Sequence, residues 1–457
     1  MTRQKQPANE HDIEARRRTI GPNQTARTSA VAPMRPSGWS KVTLANGLRL
    51  ILLPRPGSPT VAVRAYLRAG SRYDAEHRLP GGSDPALGLA HLVEHMLFKG
   101  TRHHSQRHLF AAVERLGGTL DAATAKEYLC VSAVVPPRGV GTALDIVAEV
   151  LAEPALDEED FWNEKLVVLA EMRRAQDRQD RIYDLFAEAL WQEHPLRCPC
   201  LGTLPALQAI DHASLLAFYR KRIVAGNMVL VLCGDLDPGE AGAQAAEYFS
   251  ALPAGAELRP EPVQEPPLVA PRAVHLERDM HQMVLLLGVP TVGMAHPDRS
   301  ALKVVERVLG MGGSSRLYQR LREERRLVYS VQTVTALYED AGYLAAQCAC
   351  DPQNLAQVKE VVLDEWQRLG REGVTDDELE AAQGNYAGTL ARRFETNLAV
   401  AGIHGTEALL GEIEPFDAAV SRINAVTRDD VVRVAQAYLA PTRIVAATIG
   451  PGPGCGG

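Results

Sequence analysis

Two histidines and a glutamate, in the run His91-Leu92-Val93-Glu94-His95, are the side chains of this 457-residue chain best suited to chemistry. On an α-helix, positions i, i+3 and i+4 share a face, so both imidazoles and the carboxylate point the same way. Imidazoles one turn apart can grip one Zn²⁺, and a carboxylate beside them can take a proton from water held there, which is machinery for hydrolysis. Only 13 residues are His, so a chance match to this spacing is a rare event. The competing reading is a surface helix with solvated His and Glu. Against it stand Leu87, Leu89, Ala90, Leu92, Val93, Met96, Leu97 and Phe98, which predict a mostly buried helix. Unpaired imidazoles and carboxylates are costly in such a place. Gly100-Thr101 then reads as a helix stop.

A catalytic zinc takes three protein ligands and keeps one position for water, so a third donor has to come from elsewhere. The segment from Leu156 to Arg174 predicts a helix through Phe161, Leu166, Val167, Leu169, Ala170 and Met172. It places Glu164 and Glu171 two turns apart on one face. One could ligate while the other holds a ligating His. Solvated glutamates have the same spacing, so the choice stays open at this point.

Positioning these groups falls to a duplicated unit. Apolar strands at 48–53 and 61–67 open the first half, and one at 283–289 opens the second. The stretches from Ile210 and from Val426 repeat one order: an acid-rich helix start, an aromatic near its end, then a β-branched strand. Between the halves, residues 253–271 hold six prolines in nineteen positions and predict an extended linker. The counterpart of the histidine helix, Ala301 to Gly310, keeps the apolar periodicity but carries no His.

Hydrophobic and charged contents of 46% and 23% are those of a globular protein with room for two or three domains. A net charge of −7 is mild at this length and does not suggest a nucleic-acid partner. Seven scattered cysteines argue against a disulfide scaffold and for a reducing compartment, a bacterial cytosol or an organelle matrix. Cys198-Pro-Cys200 and Cys348-Ala-Cys350 lack zinc-knuckle spacing, and His103, His104 and His108 are assigned no metal. The first 40 residues read as a disordered tail without a signal peptide or membrane span, and 451–457 read as a flexible end.

The inverted order H-x-x-E-H resembles the inverzincins, the pitrilysin, insulysin and mitochondrial processing peptidase family of zinc metallopeptidases. The likeness includes Gly70-Ser-Arg-Tyr73, Gly88 to Thr101, Gly117 to Ala122, Glu164 to Glu171, His194-Pro-Leu, Leu201-Gly-Thr203 and Asn227 to Asp235. It implies an α+β fold of two homologous α/β-sandwich domains, 41–252 and 273–450, each a mostly antiparallel sheet packed with helices, joined by the 253–272 linker. It implies that His91, His95 and Glu171 ligate one Zn²⁺ per chain, that Glu94 is the general base, and that Glu164 supports the site. Arg322 and Tyr329 match a pair that meets substrate and transition state, as donors to a developing oxyanion. Asp121-Ala122-Ala123-Thr124 match an edge strand to which peptide substrate adds, although the family usually has Asn in place of Asp121. The implied activity is an endopeptidase acting on short or unstructured peptides inside a clamshell of two subunits. A homodimer is expected, with a heterodimer containing a zinc-deficient homologue as the alternative. A non-catalytic, substrate-holding subunit is the other class of function, disfavoured because every ligand is retained.

Overall fold

Short strands, many of them rich in apolar residues, set the frame. The computed structural model describes residues 38–452, apart from 83 and 176–178. The expected N-terminal tail lies outside the described residues as far as 37, and the expected flexible end does so from 453; the first strand already begins at Ser40. One sheet contains β1 (Ser40–Thr43), β2 (Arg49–Pro54), β3 (Val61–Leu67), β4 (Thr119–Thr124), β5 (Leu129–Val135) and β6 (Met228–Gly234). Its order is β1-β2-β6-β3-β5-β4. The other contains β7 (Arg272–Glu277), β8 (Met283–Thr291), β9 (Val328–Leu337), β10 (Gly342–Cys350) and β11 (Val445–Gly450), in the order β7-β11-β8-β10-β9. Each sheet has one parallel pair, β2 with β6 and β7 with β11, and is otherwise antiparallel. The two orders correspond, so β4 and β9 are equivalent edge strands. Central β6 is buried along its whole length, which is why it reads as a continuous apolar run rather than an alternation.

Both faces of each sheet are covered, and the covering is crossed. The inner face of the first sheet packs on helices Leu89–Leu97, Val140–Ala152 and His212–Arg222. Its other face (Ile51, Leu53, Ala62, Tyr66, Val229, Val231) is covered by Val400, Ala401, Ala408 and Leu409 of helix Asn397–Leu410, which belongs by sequence to the second half. Reciprocally, Ile182, Leu185 and Phe186 of helix Arg181–Leu190 cover Val284, Leu286, Val445 and Ala447 of the second sheet. Close approach requires Gly405, where an added Cβ would stand 2.2 Å from the Tyr66 ring.

An ion network adds to this interlock. Buried Arg72 donates to Glu127 and, at 3.1 and 2.9 Å, to the two oxygens of Asp340. His194 Nε2 lies 3.3 Å from the same carboxylate, and Arg68 pairs with Glu339. The β9–β10 turn of the second half is thereby plugged into the first. Residues 253–271 form no helix or strand, yet Glu265 accepts from the amides of Gln192, Glu193 and His194. No helix among the described residues is long and apolar enough to cross a membrane.

Candidate metal centre

The helix Leu89–Leu97 buries Leu89, Ala90, Leu92, Val93, Met96 and Leu97, and this leaves His91, Glu94 and His95 half-buried on the opposite face. Its first turn is held by Asp74, whose carboxylate accepts from the amides of Gly88 (2.8 Å) and Ala90 (2.9 Å), donors that a helix start otherwise leaves unpaired. Gly88 enters the helix with φ +96°, and Gly202 (φ +73°) lies against it. A Cβ on Gly202 would meet the Leu87 carbonyl at 2.2 Å, which accounts for the small residue in Leu201-Gly-Thr203.

The third predicted ligand is delivered by helix Glu158–Ala175. One ligand atom each from His91, His95 and Glu171 lies within 4.8 Å of the other two. His95 Nε2 and Glu171 Oε2 are 3.4 Å apart. Two donors, each about 2.0–2.1 Å from one tetrahedral ion, would be separated by about that distance. The imidazole rings of His91 and His95 are 4.7 Å apart, centroid to centroid. Burial, helped by neighbouring His95, pushes the His91 imidazolium down to about 4, so its ring is neutral near pH 7. Its Nδ1 is buried and has no hydrogen-bond partner among the described residues. On the other ring, His95 Nδ1 bonds Glu164 Oε2 at 2.9 Å, which orients Nε2 toward Glu171. A neutral imidazole, an oriented imidazole and a carboxylate form a donor set that fits zinc.

The helix that supplies Glu164 and Glu171 does not pack as its apolar pattern suggests. Its buried residues are Phe161, Glu164, Lys165, Val168 and Met172, whereas Leu166 and Val167 are exposed, as is Trp162. Polar partners decide this: Glu164 bonds His95 and pairs with Lys99, and Lys165 Nζ donates to the carbonyls of Gln208 (2.8 Å) and Ile210 (2.6 Å). Lys99, one turn beyond His95, is a site residue that the motif did not reveal.

Glu94 is bonded from β4. Thr124 Oγ1 donates to Glu94 Oε2 at 2.5 Å. Burial raises the Glu94 carboxyl above the usual carboxylate range, with Thr124 opposing the shift. Alternation along β4 turns Leu120, Ala122 and Thr124 inward and leaves Asp121 and Ala123 exposed. The strand pairs with β5 on one side and ends the sheet on the other, so its outer edge is free for a further strand.

Arg322 and Tyr329 come from the second half of the chain. Arg322 lies on the π-helical segment Tyr318–Glu324, its guanidinium over the Tyr318 ring at 5.4 Å, and Tyr329 is exposed on β9. Among the described residues, neither is hydrogen-bonded to His91, Glu94, His95 or Glu171. His103 and His104 are engaged elsewhere, with Glu153 and Glu149.

In the second half, helix Arg299–Gly310 repeats the spacing with Lys303, Glu306 and Arg307. Lys303 Nζ (3.3 Å) and Arg307 Nη1 (2.9 Å) both reach Glu306 Oε2. Fixed cations thus occupy the positions of the two histidines.

The fold and the donor set are of a zinc-peptidase type, and comparison with known proteins gives the family. The insulinase (peptidase family M16) profile matches residues 49–204, and the profile of the peptidase M16 inactive domain matches 209–386. An uncharacterized zinc protease of Streptomyces coelicolor is 32% identical over 407 residues, covering 87% of each chain. Another from Mycobacterium tuberculosis is 32% identical over 93% of this chain and 94% of its own. Among solved structures, a protease from Helicobacter pylori superposes with a TM-score of 0.83 at 23% identity, over 91% of this chain and 100% of that one. This chain belongs to the insulinase (M16) family.

Proposed function

We propose that the chain is a zinc-dependent endopeptidase that hydrolyses short or unstructured peptides. One observation carries the reading: donor atoms of His91, His95 and Glu171, from two helices, converge within 4.8 Å beside the half-buried Glu94. The chemistry that zinc supplies at such a site is Lewis acidity toward a carbonyl oxygen and acidification of a coordinated water. Glu94 accepts the proton of the attacking water and returns it to the leaving amine. Glu164 and Lys99 hold His95 in place. Peptide adds along the outer edge of β4, where backbone pairing gives affinity with little side-chain selectivity.

Arg322 and Tyr329 serve as donors to the oxyanion of a second subunit's site, in a homodimer. The exposure of Tyr329 supports that arrangement, as does the exposure of the apolar side chains Trp162, Leu166 and Val167 on the helix that carries Glu171.

A peptide-library digest read by mass spectrometry, with and without chelator, tests the peptidase. The expected result is chelator-sensitive internal cleavage, and a Glu94→Gln variant that keeps one zinc per chain yet is slower by about 10²- to 10⁴-fold. Full activity in metal-loaded Glu94→Gln would sink the base assignment. A purified chain that takes up no stoichiometric zinc would favour a non-catalytic subunit instead.

A further inference from the structure

The general base is tied to the strand on which the peptide would lie, and this bond has a role beyond packing. We propose that Thr124 is a positioning residue for Glu94: its hydroxyl fixes one carboxylate oxygen so that the other faces the attacking water. The assignment rests on the peptidase reading above.

Three observations converge on it. Thr124 is the only inward-facing residue of β4 with a side-chain donor, since Leu120 and Ala122 have none. Its Oγ1 meets Glu94 Oε2 at 2.5 Å, and among the described residues Oε1 takes no hydrogen bond. A glutamate on a helix otherwise samples several rotamers, and a charge-assisted bond to one oxygen selects among them. The donor also sits on the sheet's free edge, so a peptide added to β4 and the carboxylate that serves it share one reference frame.

The second half supplies the contrast. Glu306 Oε1 accepts from the Thr335 amide of β9 at 2.8 Å, while Oε2 is taken by Lys303 and Arg307. Both copies thus run a bond from the helix glutamate to the edge strand. Where His residues flank the glutamate, the bond comes from a side chain and one oxygen stays free. Where cations flank it, both oxygens are occupied and no base remains. A bond needed only to pin the strand could use the backbone, as Glu306 does.

The experiment compares Thr124→Val, which keeps the β-branched shape without the donor, with Thr124→Ser, which keeps the donor. In zinc-loaded protein, Thr124→Val is expected to lower kcat by about 10- to 100-fold with KM changed less than about threefold. Zinc content and thermal midpoint stay at wild-type values, and Thr124→Ser recovers kcat to within about threefold. In metal-free crystals the Glu94 carboxylate should leave its place in Thr124→Val and keep it in Thr124→Ser. A Thr124→Val kcat within about twofold of wild type, an equal loss in Thr124→Ser, or an unmoved Glu94 overturns the assignment. If zinc-loaded wild-type protein cleaves no peptide, the peptidase reading fails on its own, and the crystals alone decide what Thr124 does.

Discussion

His95 shows how each side chain at the centre answers to a neighbour. Its Nδ1 is engaged by Glu164, itself paired with Lys99, so the ring presents Nε2 without choice of tautomer or angle. A carboxylate behind a ligating imidazole raises its basicity as well as orienting it. Glu164→Gln is therefore expected to weaken zinc binding by about 10- to 100-fold, measured by competition with a chromogenic chelator. An affinity equal to wild type would mean that Glu164 merely fills space. Glu164 and Glu171 were equivalent on spacing alone, and what separates them is exposure: Glu164 is buried against His95, while the side chain of Glu171 is 39% exposed and free to reach an ion.

Among the elements, the β9–β10 turn matters as much as the metal helix. Its Glu339 and Asp340 enter a pocket of charge built by Arg68, Arg72, Glu127 and His194. Hydrogen bonds from His194 and Arg72 hold the Asp340 carboxyl far below its ordinary value, against the opposing effect of burial. A carboxyl depressed in the folded state contributes stability that is fully present above its unfolded value, about pH 4, and is lost as pH falls toward the folded one. Urea unfolding of wild type and Asp340→Asn should therefore differ most near pH 7, with the gap closing below about pH 4. A gap that stays constant from pH 7 to pH 3 would show that the charge contributes nothing.

For the whole molecule, crossed helix exchange makes the two halves one folding unit. Helix Asn397–Leu410 covers the first sheet and Arg181–Leu190 the second, so neither half could bury its own sheet alone. The same arrangement leaves Tyr329 exposed on an edge strand. In the proposed homodimer, Glu94→Gln and Arg322→Ala chains, each nearly inactive, should complement when mixed and allowed to exchange. Roughly a quarter of the sites would then combine an intact Glu94 with an intact Arg322. A fully active species of monomer mass would overturn the shared site.

Legibility followed the range of each interaction. That His91, Glu94 and His95 share one helical face could be read directly, because positions i, i+3 and i+4 are neighbours by helix geometry alone. Strands β3 and β8 began at the predicted residues for the same local reason. The burial of helix Glu158–Ala175 could not be read, because Lys165 is satisfied by carbonyls more than 40 residues away. Nor could the bond from Thr124 to a glutamate 30 residues earlier, or the exchange of helices between halves. Periodicity reports which side of an element is apolar. It carries no record of which distant group meets the polar atoms on the other side, and here tertiary packing alone made that choice.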